Sequence, residues 1–209
     1  KSTLVNRFVG TKVSIVTPKV QTTRNRVIGI ALAGDAQIVF IDTPGVFAPK
    51  KRLERAMVSA AWSGARDADI VLMLIDAKRG LDKHSRLIVE HLCEGGSQAL
   101  LGINKIDTVE RKSLLALAAE FDAEKLADGS DMFSAVFMIS ALTGDGVDDL
   151  QDALGARMLA GPWHYPADQA ADIPMRLLAA EVTREKVFLQ LQQELPYAIA
   201  VETEAWRER

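Results

Sequence analysis

Apolar and polar positions change their period repeatedly along the chain as far as residue 159. Short apolar runs predict β-strands at residues 27–32, 37–41, 70–76, 99–103 and 135–139. Apolar residues spaced three and four apart predict helices at residues 1–9, 53–68, 82–92, 112–126 and 147–159. Strands that alternate with helices predict an α/β fold with a mostly parallel sheet. We expect the first two strands to pair as a hairpin, and the continuous run 70–76 to be a central strand covered on both faces.

The pattern changes after residue 160. Turn-forming residues at 161–166 predict a linker, which we extend to residue 172. Residues 173–195 read as one long amphipathic helix stopped by Pro196, and residues 197–204 alternate like a strand. A helix and one strand cannot close a hydrophobic core. We therefore expect one domain at 1–160 and the start of a second, incomplete domain at 173–209.

Composition narrows the class of protein. The 209 residues are 48% hydrophobic and 25% charged, which is ordinary for a globular protein, and the net charge is −3. Bulk charge therefore excludes a general polyanion binder, so any contact with nucleic acid must be local. The single cysteine, Cys93, excludes an intrachain disulfide and favours a reducing compartment. The longest apolar run is far too short to span a bilayer and no signal peptide is visible, so we expect a cytoplasmic protein.

Polar residues that suit a nucleotide follow several of the strands. Asp42-Thr43-Pro44-Gly45 comes directly after an apolar run and brings one carboxylate and one unhindered backbone N–H together, as a Mg²⁺-bound triphosphate requires. An ordinary turn would also explain these four residues taken alone. Lys1-Ser2-Thr3 reads as the tail of a G-x-x-x-x-G-K-[ST] phosphate loop, in which Lys1 meets the β- and γ-phosphates and Ser2 ligates Mg²⁺.

A second set of residues suits a purine base. Asp107 in Asn104-Lys105-x-Asp107 can accept hydrogen bonds from both the ring N1–H and the exocyclic amine of guanine, whereas adenine would leave the carboxylate unpaired. The stem of Lys105 can lie along the base plane. Ser140-Ala141-Leu142 follows the next strand and can supply a backbone N–H to guanine O6. In this order, the motifs predict that the intact protein binds GTP.

Other polar segments carry weaker predictions. The Thr-rich loop 13–26 is either a surface connection or a mobile segment whose threonine joins the metal when the γ-phosphate is present. The basic residues that close loop 46–52 are best explained as a solvated turn. His84 and His91 lie seven apart on a predicted helix, and two histidines without further ligands indicate surface residues rather than a metal site.

These motifs together resemble those of the TRAFAC-class GTPases and, within that class, the Era-like family of bacterial ribosome-assembly GTPases. The resemblance rests on Gln21-Thr22-Thr23-Arg24, Asp42-Thr43-Pro44-Gly45, Asn104-Lys105-Ile106-Asp107, Ser140-Ala141, Glu181-Val182-Thr183-Arg184-Glu185-Lys186 and Glu194-Leu195-Pro196-Tyr197. It implies a P-loop GTPase domain and the start of an α/β KH-type RNA-binding domain.

The resemblance also implies cofactors and partners. It implies GTP or GDP with Mg²⁺, and binding to the small ribosomal subunit and the 3′ end of its RNA. It assigns γ-phosphate sensing to the Gly45 N–H and metal binding to Ser2, to Thr23 and, through water, to Asp42. K⁺ is a further candidate cation, and a peripheral association with the inner membrane is compatible with the family. No obligate protein partner is visible in the sequence.

The chain departs from the family pattern in three respects. It begins with Lys rather than Met, without the phosphate-loop glycines and the strand before them, so we expect it to be part of a longer protein. The later half of the KH domain, with its G-x-x-G segment, is absent as well. As it stands, the chain should bind nucleotide poorly and RNA hardly at all. Val46 occupies the position where many relatives place a water-orienting Gln. Either the enzyme is simply slow, or, as the resemblance implies, other elements position the water.

Two alternatives remain open from the sequence. The first is an RNA-binding assembly factor whose nucleotide site is a non-hydrolysing relic. The second is a tRNA-modification GTPase of the same class. The joint presence of Asp42, Asn104 and Asp107 argues against a relic, and the Arg184-Glu185-Lys186 and Leu195-Pro196-Tyr197 segments argue against the second alternative.

Overall fold

The computed structural model describes residues 1–17, 27–45, 52–191 and 199–207. Its helices are α1 (Ser2–Val9), α2 (Arg52–Arg66), α3 (Lys83–Gly95), α4 (Arg111–Asp122), α5 (Val147–Gly155) and α6 (Met175–Gln190). Its strands are β1 (Val27–Ala33), β2 (Ala36–Asp42), β3 (Val71–Asp76), β4 (Ala99–Asn104) and β5 (Phe133–Ile139), and a short 3₁₀ helix covers Ile106–Thr108. The α/β class predicted from the sequence is confirmed.

The chain divides into two compact units, and each is described separately. The first unit contains residues 1–44 and 159–209, and the second contains residues 45–158. This division differs from the predicted domain boundaries, because the segment from residue 159 onward is grouped with the beginning of the chain.

The first unit is built on the hairpin of β1 and β2. The two strands pair antiparallel from Val27 opposite Asp42 to Ala33 opposite Ala36, as the sequence predicts. Helix α1 buries Phe8 against them, where its ring stacks on Phe40 with centroids 4.5 Å apart. Gly29 of β1 permits this close approach, since a Cβ there would lie 2.9 Å from methyl groups of two valines of α1.

The predicted linker, residues 161–172, runs alongside this hairpin and is hydrogen-bonded to it. Ile30 N–H donates to the Ala170 carbonyl at 2.9 Å, and Gly29 forms an isolated antiparallel bridge with Ala171. The amide oxygen of Gln37 accepts the backbone N–H groups of His164 and Tyr165, both at 3.0 Å. Residues 161–172 are therefore bonded along the hairpin rather than forming a free connection.

The second unit contains a parallel sheet in the order β3-β4-β5. Every residue of β4 is buried, and Leu101 and Ile103 join a core that includes Val89 of α3 and Phe121 of α4. The prediction that run 70–76 is a central strand is wrong for the described strands: β3 pairs only with β4 and is half-buried at most positions. Burial on both faces therefore belongs to the next run along the chain.

Several predicted element ends also differ from the structure. Helix α6 ends at Gln190, where Leu191 adopts an extended backbone, so Pro196 is not the residue that stops it. Within the predicted strand 197–204, the described residues 199–204 do not form a β-strand, and Thr203 Oγ1 donates instead to the Arg176 carbonyl at 2.7 Å. Helix α4 ends four residues early because the chain turns back at 126–130, with Leu126 N–H donating to the Ser130 carbonyl.

Candidate nucleotide site

Asp42 is the centre of a polar cluster in the first unit. It is the last residue of β2 and is only 2% exposed. Its Oδ2 accepts hydrogen bonds from two hydroxyl groups, Ser2 Oγ at 2.7 Å and Ser14 Oγ at 2.9 Å. Two hydroxyl donors to one carboxylate oxygen fix the direction of the Asp42 side chain. Ser2 and Asp42, both predicted metal ligands, are thus brought together.

The second donor, Ser14, is held in place by α1. The amide oxygen of Asn6 accepts the backbone N–H groups of Val13 and Ser14, and its amide nitrogen donates to the Ser14 carbonyl at 2.7 Å. Ser14 is 2% exposed, so water cannot replace its hydroxyl. Ser14 is not among the site residues predicted from the sequence. The signal was weak, because one serine in a polar loop does not indicate which carboxylate it will meet.

Lys1 extends its amine to the turn after β2. The amine donates to the Thr43 carbonyl, to Thr43 Oγ1 at 3.2 Å and to the Pro44 carbonyl at 3.1 Å. Burial of this amine lowers the pKa of Lys1, against the Asp42 carboxylate, which raises it. An amine that donates to carbonyl and hydroxyl oxygens at this turn can donate in the same way to the oxygens of a phosphate.

Of the other residues predicted for the phosphate site, the structure describes Thr3 and Gly45. Thr3 lies half-buried in the first turn of α1, whose N-terminal N–H groups can receive an anion. Gly45 follows the turn and is exposed. Thr23, the predicted metal ligand of the loop, and Val46, at the water-positioning place, lie outside the described residues.

A second cluster forms at the ends of β4 and β5 in the other unit. The side-chain oxygen of Asn104 accepts the backbone N–H of Lys105 at 2.8 Å and that of Ala141 at 3.0 Å. Asn104 therefore ties the two predicted base-binding segments together. The Ala141 N–H is engaged by this bond, so its predicted contact with guanine O6 would have to share or replace it. Leu142, the third residue of that segment, is exposed.

Asp107 is fixed by the same pair of segments. Its Oδ1 accepts a hydrogen bond from Ser140 Oγ at 2.6 Å, and Ser140 Oγ accepts the Thr143 N–H at 3.1 Å. Ser140 is fully buried whereas Asp107 is an exposed residue. Ser140 thus holds one side of the Asp107 carboxylate in place. A carboxylate that accepts hydrogen bonds from two donors of a base must be positioned in this way.

Asp76 belongs to this cluster but is not among the site residues predicted from the sequence. It ends β3 directly opposite Asn104, and its Oδ2 lies 2.6 Å from the Lys105 amine. Burial alone would raise the pKa of Asp76, but the Lys105 and Lys78 hydrogen bonds and the charges of Lys105 and Arg79 outweigh it and lower that pKa. Its signal was available: like Asp42 and Asn104, it is a polar residue that directly follows an apolar strand.

The donor set of the first cluster fits Mg²⁺. A serine hydroxyl and a carboxylate are hard oxygen ligands, and Mg²⁺ commonly uses few protein ligands beside water and substrate phosphates. Among the described residues, no group of three or more His, Cys, Asp and Glu side chains could hold a metal ion by itself.

The two histidines of α3 lie apart from this cluster in their contacts. His84 is exposed. The His91 ring packs at a tilt on Trp62, with ring centroids 4.0 Å apart, and its Nδ1 lies 3.6 Å from Glu94 Oε2.

Comparison with known proteins gives a consistent family. The model of a family described as 50S ribosome-binding GTPase matches residues 1–105. GTPase Era of Bradyrhizobium sp. (strain BTAi1 / ATCC BAA-1182) is 56% identical over 209 residues, which is 100% of this chain and 66% of that protein. The chain therefore spans about two thirds of the length of the curated relatives it matches.

Solved structures agree with this result. One is described as Era in complex with MgGDPNP and nucleotides 1506–1542 of 16S ribosomal RNA; it is 36% identical, has a TM-score of 0.86, and aligns over 94% of this chain and 65% of that chain. Another, an Aquifex aeolicus Era variant bound to GDP.AlF4−, is also 36% identical, with a TM-score of 0.85 over 93% of this chain and 65% of that chain. The resemblance to Era predicted from the motifs is confirmed. The chain belongs to the family of 50S ribosome-binding GTPases, as a relative of GTPase Era.

Proposed function

We propose that the complete protein binds GTP, hydrolyses it to GDP and phosphate, and binds ribosomal RNA of the small subunit while that subunit is assembled. The observation that carries the GTP assignment is the anchored carboxylate of Asp107, which Ser140 holds at 2.6 Å beside the exposed Lys105. A carboxylate fixed on one side and exposed on the other suits the two donors of a guanine edge.

The phosphates are assigned to the first cluster. Lys1 exchanges its carbonyl partners at Thr43 and Pro44 for the β- and γ-phosphates, whose negative charge favours the protonated amine against the effect of burial. Ser2 would ligate Mg²⁺ directly, and Asp42 would do so through water. When bound, Mg²⁺ neutralises the negative charge that develops on the phosphates during transfer.

The assignments that rest on the family resemblance complete the proposal. The Gly45 N–H senses the γ-phosphate and Thr23 joins the metal, with K⁺ as a candidate fixed charge where Val46 replaces a glutamine. Residues 1–160 form the GTPase domain, 161–172 the linker and 173–209 the start of a KH-type domain.

A ribosomal partner implies that the protein acts in the cytoplasm. A peripheral association with the inner membrane rests on the resemblance alone. None of the described helices has both the length and the apolar character to cross a bilayer.

The base assignment is tested by Asp107→Asn in the complete protein. Losing one charged hydrogen bond lowers GTP affinity by roughly 10- to 150-fold, whereas xanthosine triphosphate, with a carbonyl in place of the amine, gains a donor from Asn. Competition binding with both nucleotides measures this change. Asp131→Asn, which removes a carboxylate of the same unit outside the cluster, is the control. Unchanged preference for guanine in the Asp107 variant would refute the assignment.

The RNA partner needs a separate experiment, because the family description names the large subunit and the structural relative was solved with small-subunit RNA. We favour the small subunit, since that relative aligns over 94% of this chain. Filter binding of the complete protein to an oligonucleotide of the 3′ end of small-subunit RNA should exceed binding to a scrambled oligonucleotide. Equal binding to both would contradict the proposed partner.

A further inference from the structure

Lys105 has an unusual backbone conformation that its neighbours impose. Its φ of 67° makes it the one non-glycine residue in the described ranges with a positive φ. Its N–H donates to Asn104 Oδ1 at 2.8 Å, and its carbonyl accepts from Thr108 N at 3.0 Å and from Thr108 Oγ1 at 2.8 Å. A left-handed lysine persists only where surrounding contacts determine it, and such residues cluster at ligand sites.

The other end of the same side chain is held by Asp76. The Lys105 amine lies 2.6 Å from Asp76 Oδ2, while Asp76 Oδ1 accepts the Lys78 N–H at 3.0 Å. Asp76 itself is placed by the sheet, since it pairs in register with Asn104, and the Ala77 N–H donates to the Asn104 carbonyl at 2.8 Å. Both ends of Lys105 are therefore held by hydrogen bonds, and its four-carbon stem connects them.

We propose that Asp76 is a positioning residue that orders the stem of Lys105 as a flat apolar surface for the face of a purine base. This inference rests on the proposed GTP site and extends it. A lysine side chain loses much rotational freedom when it packs on a ligand, and ordering it in advance removes that loss from binding. The contact is with the face of the ring, so it strengthens binding of any purine nucleotide and does not discriminate guanine, which Asp107 does.

Asp76→Asn in the complete protein tests the proposal, with GDP, inosine diphosphate and pyrophosphate as probes. Hypoxanthine has the same ring face as guanine but lacks the exocyclic amine, and pyrophosphate reports only on the phosphate cluster. We expect GDP and inosine diphosphate affinities to fall together by roughly two- to tenfold, the range for ordering one flexible side chain, with pyrophosphate affinity unchanged.

Two further variants separate positioning from general damage. Lys105→Met keeps most of the stem and removes the amine, so adding Asp76→Asn to it should lower GDP affinity no further. Asp131→Asn removes an exposed carboxylate that also pairs with a lysine, Lys125, and should leave all three affinities unchanged.

The outcomes distinguish this inference from the proposed function. GDP affinity equal to the parent protein, an equal loss of pyrophosphate affinity, or additive effects of the two variants would each overturn the role of Asp76. A parent protein that binds adenine and guanine nucleotides equally would instead refute the GTP site itself.

Discussion

Glu185→Gln removes a buried charge from α6 while keeping the size of the side chain. Glu185 is 5% exposed in its side chain, accepts the Val16 N–H at 2.9 Å and forms an ion pair with Lys12. The amide oxygen of Gln can still accept the Val16 N–H, so the principal loss is the charged bond to Lys12. That bond would be worth 1.5–3 kcal/mol if fully buried, and the 46% exposure of Lys12 reduces the expected loss to about 1–2 kcal/mol of unfolding free energy.

The loss of unfolding free energy caused by Glu185→Gln should be larger near neutral pH than in acid. Burial raises the pKa of Glu185, but the Lys12 and Val16 hydrogen bonds and the charges of Lys12 and Lys186 outweigh it, so the pKa lies below its ordinary value. A carboxyl group with a lowered pKa in the folded state stabilises that state above its unfolded pKa, and this stabilisation is lost as the pH falls through the folded pKa. The difference between parent and variant should therefore be largest near neutral pH and should shrink in acid.

Urea denaturation followed by circular dichroism, near pH 7 and near pH 3.5, measures this difference. Glu120→Gln is the matched control, because Glu120 is half exposed and lies 3.9 Å from Arg86. That exposed pair should contribute little at either pH. The reasoning is refuted if Glu185→Gln behaves like the control at neutral pH, or if its deficit is the same in acid.

Two other substitutions test the packing and the phosphate cluster. Ser14→Ala removes one of the two hydroxyl donors to buried Asp42, so GTP hydrolysis by the complete protein should need roughly three- to tenfold more Mg²⁺, and a magnesium titration with an unchanged midpoint would contradict this role. Gly146→Ala places a Cβ 2.4 Å from the Met138 carbonyl oxygen at a φ of 67° and should cost about 2 kcal/mol or more of stability. Gly129→Ala, which has a φ of 85° but open space around it, should cost about 1 kcal/mol in the same urea experiment, and equal losses would show that the close contact does not matter.

Much of the fold could be predicted because the signals are local. The hairpin of β1 and β2 and the helix after Lys1 both follow from spacing and turn residues within a few positions. The central strand could not be identified, because runs 70–76 and 99–103 are equally apolar and burial depends on which strands flank them. Residues 199–204 do not form the expected strand for a related reason: alternation describes a possible strand, whereas strand formation depends on the neighbours that the fold supplies.

The residues of the candidate site also fall into those that the sequence predicts and those that only the structure reveals. Lys1 and Ser2 could be predicted from the tail of a phosphate-loop motif. Asp42, Asn104 and Asp107 could be predicted because these residue types lie at or just after strand ends, where α/β sheets bind ligands. The sequence by itself thus determined which groups are available for the chemistry. Only the tertiary structure decided which groups hold them, since Ser14 meets Asp42 across 28 residues and Asp76 meets Lys105 across 29. Such contacts are set by strand register and helix packing, which the order of residue types along the chain does not specify.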